Sequence, residues 1–185
     1  MRELSLHILD VAENSLRSNA NLIEIIIKEI VKNNSYKIVI RDDGCGMSKE
    51  YVKLVKNPFV TERKTRKVGL GLPLFAQTAK MCSGKLNIYS RPNKGTVVIA
   101  KMERDHIDLP PLGKISDTLL SLVMSSNGSE IKFIHQYNEY KYELDTREIK
   151  REIETDSLNN PVIMKWIKEY IEENENYLRK KGALA

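Results

Sequence analysis

Three short groups of residues have types and spacings that could do chemistry. Asp10 and Asn14 lie four residues apart in a stretch, Leu4 to Arg17, whose apolar residues recur at helical spacing. Four residues is about one helical turn, so both side chains leave a rigid rod in the same direction. A solvated helix face would carry the same pair. Asp42-Asp-Gly-Cys-Gly46 ends a run of alternating apolar residues. Its glycines let backbone approach a flat ligand closely, although an ordinary glycine turn reads the same. Gly69-Leu-Gly-Leu72 precedes a helical pattern, and the free N–H groups of a helix start can hold phosphate oxygens. Each group is weak alone. Together they occur in order, each at the end of the element that would present it.

The elements that must position them follow from periodicity. Leu4, Ile8, Leu9, Ala12, Ser15 and Leu16 form one side of the first helix, with His7, Asp10, Asn14 and Arg17 opposite. Leu22 to Val31 is isoleucine-rich and reads as a strand, Asn33-Asn34-Ser35 as a turn, and Tyr36 to Arg41 as a second strand. Ser48 caps a short helix that Pro58 ends, and residues 60–71 form a polar, basic loop. Leu72 to Cys82 suits a helix stopped by Ser83-Gly84, with Leu74, Phe75, Thr78, Ala79 and Cys82 inward. Lys85 to Ser90 and Thr96 to Met102 make a hairpin across Arg91–Gly95. This order predicts an α+β fold, a two-layer α/β sandwich with helices on one sheet face.

Pro110-Pro111 marks the expected boundary between a domain of residues 1–109 and an extension of residues 110–185. The extension reads as a helix (Ser116 to Met124), a hairpin (Glu130 to Leu144) and a charged helical stretch from Thr146. A last helix opens at Asn160-Pro161 with Val162, Ile163, Trp166, Ile167, Tyr170 and Ile171 as its apolar stripe. Its role is expected to be packing or partner docking.

Composition narrows the class. With 185 residues, 41% hydrophobic and 30% charged, the chain suits one globular domain plus an appendage and argues against extended disorder. No apolar run approaches the roughly 18 residues of a membrane span. The start lacks a signal-like layout, so a soluble cytoplasmic protein without membrane association is expected. Cys45 and Cys82 form no CxxC pair and no disulfide framework. A net charge of +5 with 6% aromatic residues weighs against a nucleic-acid partner. His7 reads as a polar surface residue or an accessory to a metal, and His106 and His135 have no ligand-like spacing.

The ordered set resembles the GHKL ATPase superfamily, which groups DNA gyrase, the large heat-shock chaperone, histidine kinases and MutL on the Bergerat nucleotide-binding fold. The resemblance covers roughly Leu4 to Met102. Residues 10–20 look like the family's N box and residues 42–46 like its DxGxG box. Asn57-Pro-Phe59 resembles the kinase F box, residues 68–72 the second glycine box, and residues 93–96 the closing glycine-threonine turn. The run from Asn57 to Val98 looks most like histidine-kinase catalytic domains, but without a phosphoacceptor helix.

The resemblance implies ATP and Mg²⁺ as ligands. Asn14 would ligate Mg²⁺, Asp42 would accept the adenine amino proton, and Gly44 and Gly46 would admit the base. Gly69 and Gly71 would let a lid close over the triphosphate, and Thr96 would support Asp42. Met47, Phe59, Leu70 and Leu72 are also carried over as nucleotide contacts. Lid residues Arg63, Lys64, Arg66 and Lys67 would neutralise phosphates, or form a solvated basic loop. Asp10 stands where hydrolysing members carry glutamate, so it would act as general base, or as a metal-shell or structural group. Glu13, about 100° round the helix from Asn14, should point elsewhere. The implied functions are a kinase-like regulator phosphorylating a partner's histidine or serine, an ATP-hydrolysing switch, or a non-catalytic ATP module; a homodimer fits the resemblance.

Overall fold

The computed structural model of the chain describes residues 3–55 and 71–183. Its elements are α1 (Leu4–Arg17), β1 (Leu22–Ile30), β2 (Ser35–Asp42), α2 (Lys49–Val55), α3 (Gly71–Met81), β3 (Lys85–Ser90) and β4 (Thr96–Glu103). After Pro110-Pro111 come α4 (Ile115–Ser125), β5 (Glu130–Tyr137), β6 (Tyr140–Asp145), α5 (Thr146–Glu152) and α6 (Pro161–Ala183). The six strands form one mixed sheet in the order β3-β4-β2-β1-β5-β6. All neighbours are antiparallel except β1 and β5, which run parallel with Ile23 opposite Ile131.

Alternation sets the two faces. Ile23, Ile25 and Ile27 of β1, Ile38 and Ile40 of β2, and Ile131 and Phe133 of β5 are fully buried on one face. Against that face lie α3, α1, α4 and α6, which contact one another in that order. Their intervening residues leave the other face with no fully buried side chain on β1 to β5. The architecture is therefore the expected α+β two-layer arrangement, with the sheet running across the Pro110-Pro111 junction. That junction is stitched to the first helix: the Leu4 and Ser5 N–H groups, unpaired by the helix itself, donate to the carbonyls of Pro111 and Leu112 at 3.0 and 2.9 Å.

Helix ends follow local chemistry. The Gly84 N–H reaches back to the Ala79 carbonyl at 2.8 Å to close α3, but the left-handed residue is Ser83, not the glycine. Gly84 is required for a different reason: a Cβ there would lie 1.8 Å from the Lys101 carbonyl oxygen. Asn160 caps α6 as its sequence suggests, accepting from the Val162 N–H at 2.8 Å.

Three sequence expectations change. On α1, Ser5, His7 and Val11 are buried while Leu9 and Leu16 are only half-buried, so the buried stripe is rotated toward His7. His7 is no surface residue. Its ring stacks on Phe75 with centroids 4.9 Å apart, and Nε2 lies 3.0 Å from the Thr78 hydroxyl. An aromatic platform and a hydroxyl partner on α3 let an imidazole replace an aliphatic side chain in the core. On α6 the apolar stripe is split: Ile167, Ile171 and Leu178 are buried, whereas Trp166 and Val162 are exposed.

Candidate functional site

Asp42 is the hub of the predicted site. It is the last residue of β2, and its carboxylate ties three elements together. Oδ2 accepts the Ser15 hydroxyl of α1 at 2.7 Å, while Oδ1 accepts the N–H groups of Gly44 and Thr96 at 3.0 and 3.2 Å. A carboxylate has about four acceptor positions, so one remains beyond these three donors. Thr96 meets Asp42 through its backbone; its hydroxyl turns to the Ser90 hydroxyl 3.0 Å away.

The Asp42–Gly46 loop is clasped from both sides. The Cys45 N–H donates to the Ser18 carbonyl at 3.0 Å, and the Cys45 carbonyl accepts from Asn93 at 2.7 Å. Met47, half-buried, donates its N–H to the Ser90 hydroxyl at 2.8 Å. Here the close approach that the glycines permit is made by protein atoms. A Cβ on Gly44 would lie 2.0 Å from the Ser18 hydroxyl oxygen, and one on Gly46, whose φ is +63°, 2.0 Å from the Arg91 carbonyl oxygen.

Asp10 lies under the first residue of α3. A Cβ on Gly71 would come within 2.8 Å of the Asp10 Cβ and 3.1 Å of its Oδ2. Desolvation, reinforced by the Glu13 charge and opposed by Arg17, raises the Asp10 pKa above its ordinary value. Asn14, one turn on, is exposed, and its Oδ1 accepts from Arg17 at 3.2 Å. Glu13 does not point clear of the pair: it accepts at 2.6 Å from the same Arg17 guanidinium that holds Asn14, and lines a cleft with Asn21 and Ser129.

The structure thus places Asp10, Asn14, Asp42, Gly44, Gly46, Met47, Leu72 and Thr96 on the elements expected of them, whereas Gly71, expected in the loop, is the first residue of α3. Asn57, Phe59, Arg63, Lys64, Arg66, Lys67, Gly69 and Leu70 lie outside the described residues. Sequence reasoning missed Ser15, Ser18 and Ser90, which hold the loop and Asp42 in place. Ser15 had a legible signal: a hydroxyl inside an apolar stripe requires a partner when buried.

Among the described residues no cluster of three or more His, Cys, Asp or Glu side chains could hold a metal ion. Mg²⁺ bound with a nucleotide needs no such cage, because phosphates and water supply most of its octahedron. The exposed Asn14 carboxamide, with Asp10 one turn away, fits a single protein ligand of that kind. No described helix is long and apolar enough to cross a membrane.

A helical layer on one face of a mixed sheet, with the Asp42–Gly46 loop at the end of β2 and the start of α3 over Asp10, defines a two-layer class of α+β protein. Comparison with known proteins places the chain within that class. Residues 2–106 match the family model for histidine kinase-, DNA gyrase B- and HSP90-like ATPases, and the chain belongs to this family. Members of the family bind ATP, usually with Mg²⁺. Two curated relatives share shorter segments. A Shewanella frigidimarina (strain NCIMB 400) protein named as a sensor is 36% identical over 75 residues, 40% of this chain and 12% of its own length. Sporulation kinase C of Bacillus subtilis (strain 168) is 32% identical over 74 residues, 40% of this chain and 17% of its own. The chain therefore spans only a small part of both. Among solved structures, the N-terminal domain of a DNA repair protein superposes with a TM-score of 0.55 at 18% identity, covering 78% of this chain and 53% of that one. This last likeness concerns the fold alone.

Proposed function

We propose that the chain is an ATP·Mg²⁺-binding, kinase-like regulator of the cytoplasm that passes the γ-phosphate to a histidine or serine on a partner protein. The observation that carries the reading is the Asp42 carboxylate, fixed by three donors from α1, its own loop and β4 with one acceptor position left. That position suits the amino group of adenine. Asn14 would hold Mg²⁺ between the phosphates, and Gly71 at the start of α3 would offer helix-start amides to them. Transfer is an in-line displacement: the acceptor's nitrogen or oxygen attacks the γ-phosphorus, the bond to the β–γ bridging oxygen breaks, ADP leaves, and the acceptor's proton passes to water. Positioning and charge neutralisation suffice. Residues 1–109 are read as the nucleotide-binding unit, and residues 110–185 as an addition that completes the sheet. Support for transfer over hydrolysis comes from the 32% identity with a sporulation kinase.

Hydrolysis is the second reading, favoured by Asp10. Its carboxyl lies against the start of α3 with a pKa raised by burial, the condition expected of a proton acceptor. Incubating the full chain with γ-labelled ATP, alone and with candidate acceptor proteins, separates the two. Label on a protein acceptor, with Asp10→Asn retaining transfer, is the expected result. Release of labelled inorganic phosphate without acceptor, lost in Asp10→Asn, establishes hydrolysis instead. Label that stays on ATP under every condition overturns both. Asn14→Ala should remove at least tenfold of the Mg²⁺-dependent affinity in calorimetry without lowering Tm, since the side chain is exposed. Unchanged ATP·Mg²⁺ binding in that variant removes Asn14 as the metal ligand.

A further inference from the structure

The sheet face turned away from the helices carries an unusual row. Lys141, Gln136, Lys28, Lys37, Lys101 and Lys85 are successive register neighbours across β6, β5, β1, β2, β4 and β3. Five of the six positions crossing the whole sheet are lysine. Lys28, Lys85, Lys101 and Lys141 are exposed and Lys37 is half-buried. Among the described residues none of the five makes an ion pair.

Like charges directly opposite on neighbouring strands are destabilising, and this row contains three such pairs. Lysine at a sheet edge discourages unwanted strand pairing, which accounts for Lys85 on β3 and Lys141 on β6. It does not account for Lys28 and Lys37, on the two adjacent strands in the middle of the sheet. Their repulsion brings the fold nothing. The acidic residues of the same face are matched elsewhere: Glu130 pairs with Lys150, Glu143 and Asp145 lie near Lys132, and Glu24 is opposite Arg41. Two acids lie beside the row, Glu103 two residues along β4 from Lys101 and Glu143 two residues along β6 from Lys141.

Alongside the lysines runs a second row, Ile134, Ile26, Val39 and Ile99, each the register neighbour of the next and each only half-buried. The face therefore offers two parallel stripes, one cationic and one aliphatic, both running across the strands. Nucleic acid would satisfy the lysines and leave the aliphatic row against phosphate and water. A second copy of the chain would set lysine against lysine.

We propose that this open face docks an acidic amphipathic helix of a partner protein, laid across the strands. Strands are spaced about 4.8 Å apart and helical turns 5.4 Å, so acidic residues one turn apart keep step with successive lysines. An apolar stripe on the same helix then meets the isoleucine row. Six strands span about 24 Å, the length of roughly 16 helical residues. The surface is separate from the nucleotide site, which lies on the helical side of the sheet.

The test uses the full chain and a labelled peptide of about 18 residues carrying glutamate and leucine stripes at helical spacing. Controls are a scrambled peptide of the same composition and a short DNA duplex. Fluorescence anisotropy should show the amphipathic peptide binding at least tenfold tighter than either control, and more weakly as salt rises. Lys28→Gln/Lys37→Gln should reduce that affinity at least tenfold while its Tm stays level or rises, because repulsion is relieved. Equal binding of the scrambled peptide, tighter binding of the duplex, or unchanged affinity in the double variant overturns the proposal. A fall in Tm overturns it too, because the lysines would then be serving the fold.

Discussion

At the scale of single residues, burial decides what the sequence could not. His7 occupies a core position on α1, and desolvation lowers its pKa to about 4, so it is neutral at pH 7. A histidine whose folded pKa is depressed supplies its full stability above the unfolded value near 6.5 and loses it as pH falls through the folded one. The imidazole should therefore remove up to about 3 kcal/mol between pH 6.5 and 4. Urea titrations of the parent chain and of His7→Phe, which keeps the stack on Phe75, check this. The parent should be the more acid-sensitive of the two, and parallel pH profiles would show that His7 does not titrate in that window. The sequence presented His7 as a surface residue because its compensating partners, Phe75 and Thr78, are about seventy positions away. Asp42 was legible for the opposite reason: its partners Gly44 and Thr96 belong to motifs, although the Ser15 contact was not foreseen.

At the scale of elements, periodicity gave α1, β1, β2, α3, β3 and β4 to within a residue or two. Each has one face in the core, and alternation or helical spacing records that face directly. Local spacing cannot record which strand lies beside which. The hairpin of β5 and β6 was readable, but its attachment to β1 was not, because register depends on side chains more than a hundred positions apart. Loop geometry falls between the two cases. In the Asp42–Gly46 loop, Gly44 is required by close neighbours alone, and Gly46 by close neighbours and by its φ of +63°. Gly128 is a natural control, with φ of +99° but no heavy atom within 4 Å of an added Cβ. Gly46→Ala should be destabilised by about 1–3 kcal/mol more than Gly128→Ala, the difference reporting the collision with Arg91. Equal melting temperatures for the two variants would mean that the clasp yields freely.

At the scale of the whole molecule, the addition after Pro110-Pro111 is welded to the rest by charge as well as by strand pairing. His135 of β5 lies between Glu175 of α6, 2.6 Å from Nδ1, and Glu29 of β1, 3.2 Å from Nε2. Tyr142 donates to the same Glu175 oxygen at 2.6 Å, and Arg104 pairs with Glu29 at 3.3 Å. Burial alone would lower the His135 pKa, but hydrogen bonds and charges from Glu175 and Glu29 outweigh it and push it up to about 9. A raised histidine pKa stabilises fully below the unfolded value near 6.5 and ceases to as pH rises through the folded one. Melting temperature should therefore decline between pH 6.5 and 9, and His135→Gln should flatten that decline. A parent chain with constant Tm across this range would show that the imidazole is not held charged.

The parallel pairing of β1 with β5 also has a consequence during synthesis. At about 5–20 residues per second, β1 leaves the ribosome roughly 5–20 s before its neighbour is made. Until then one flank of an isoleucine-rich ribbon presents bare amides and carbonyls to its surroundings. That interval is when a nascent chain of this design is most exposed to pairing with a stranger, and when a chaperone would have most to do.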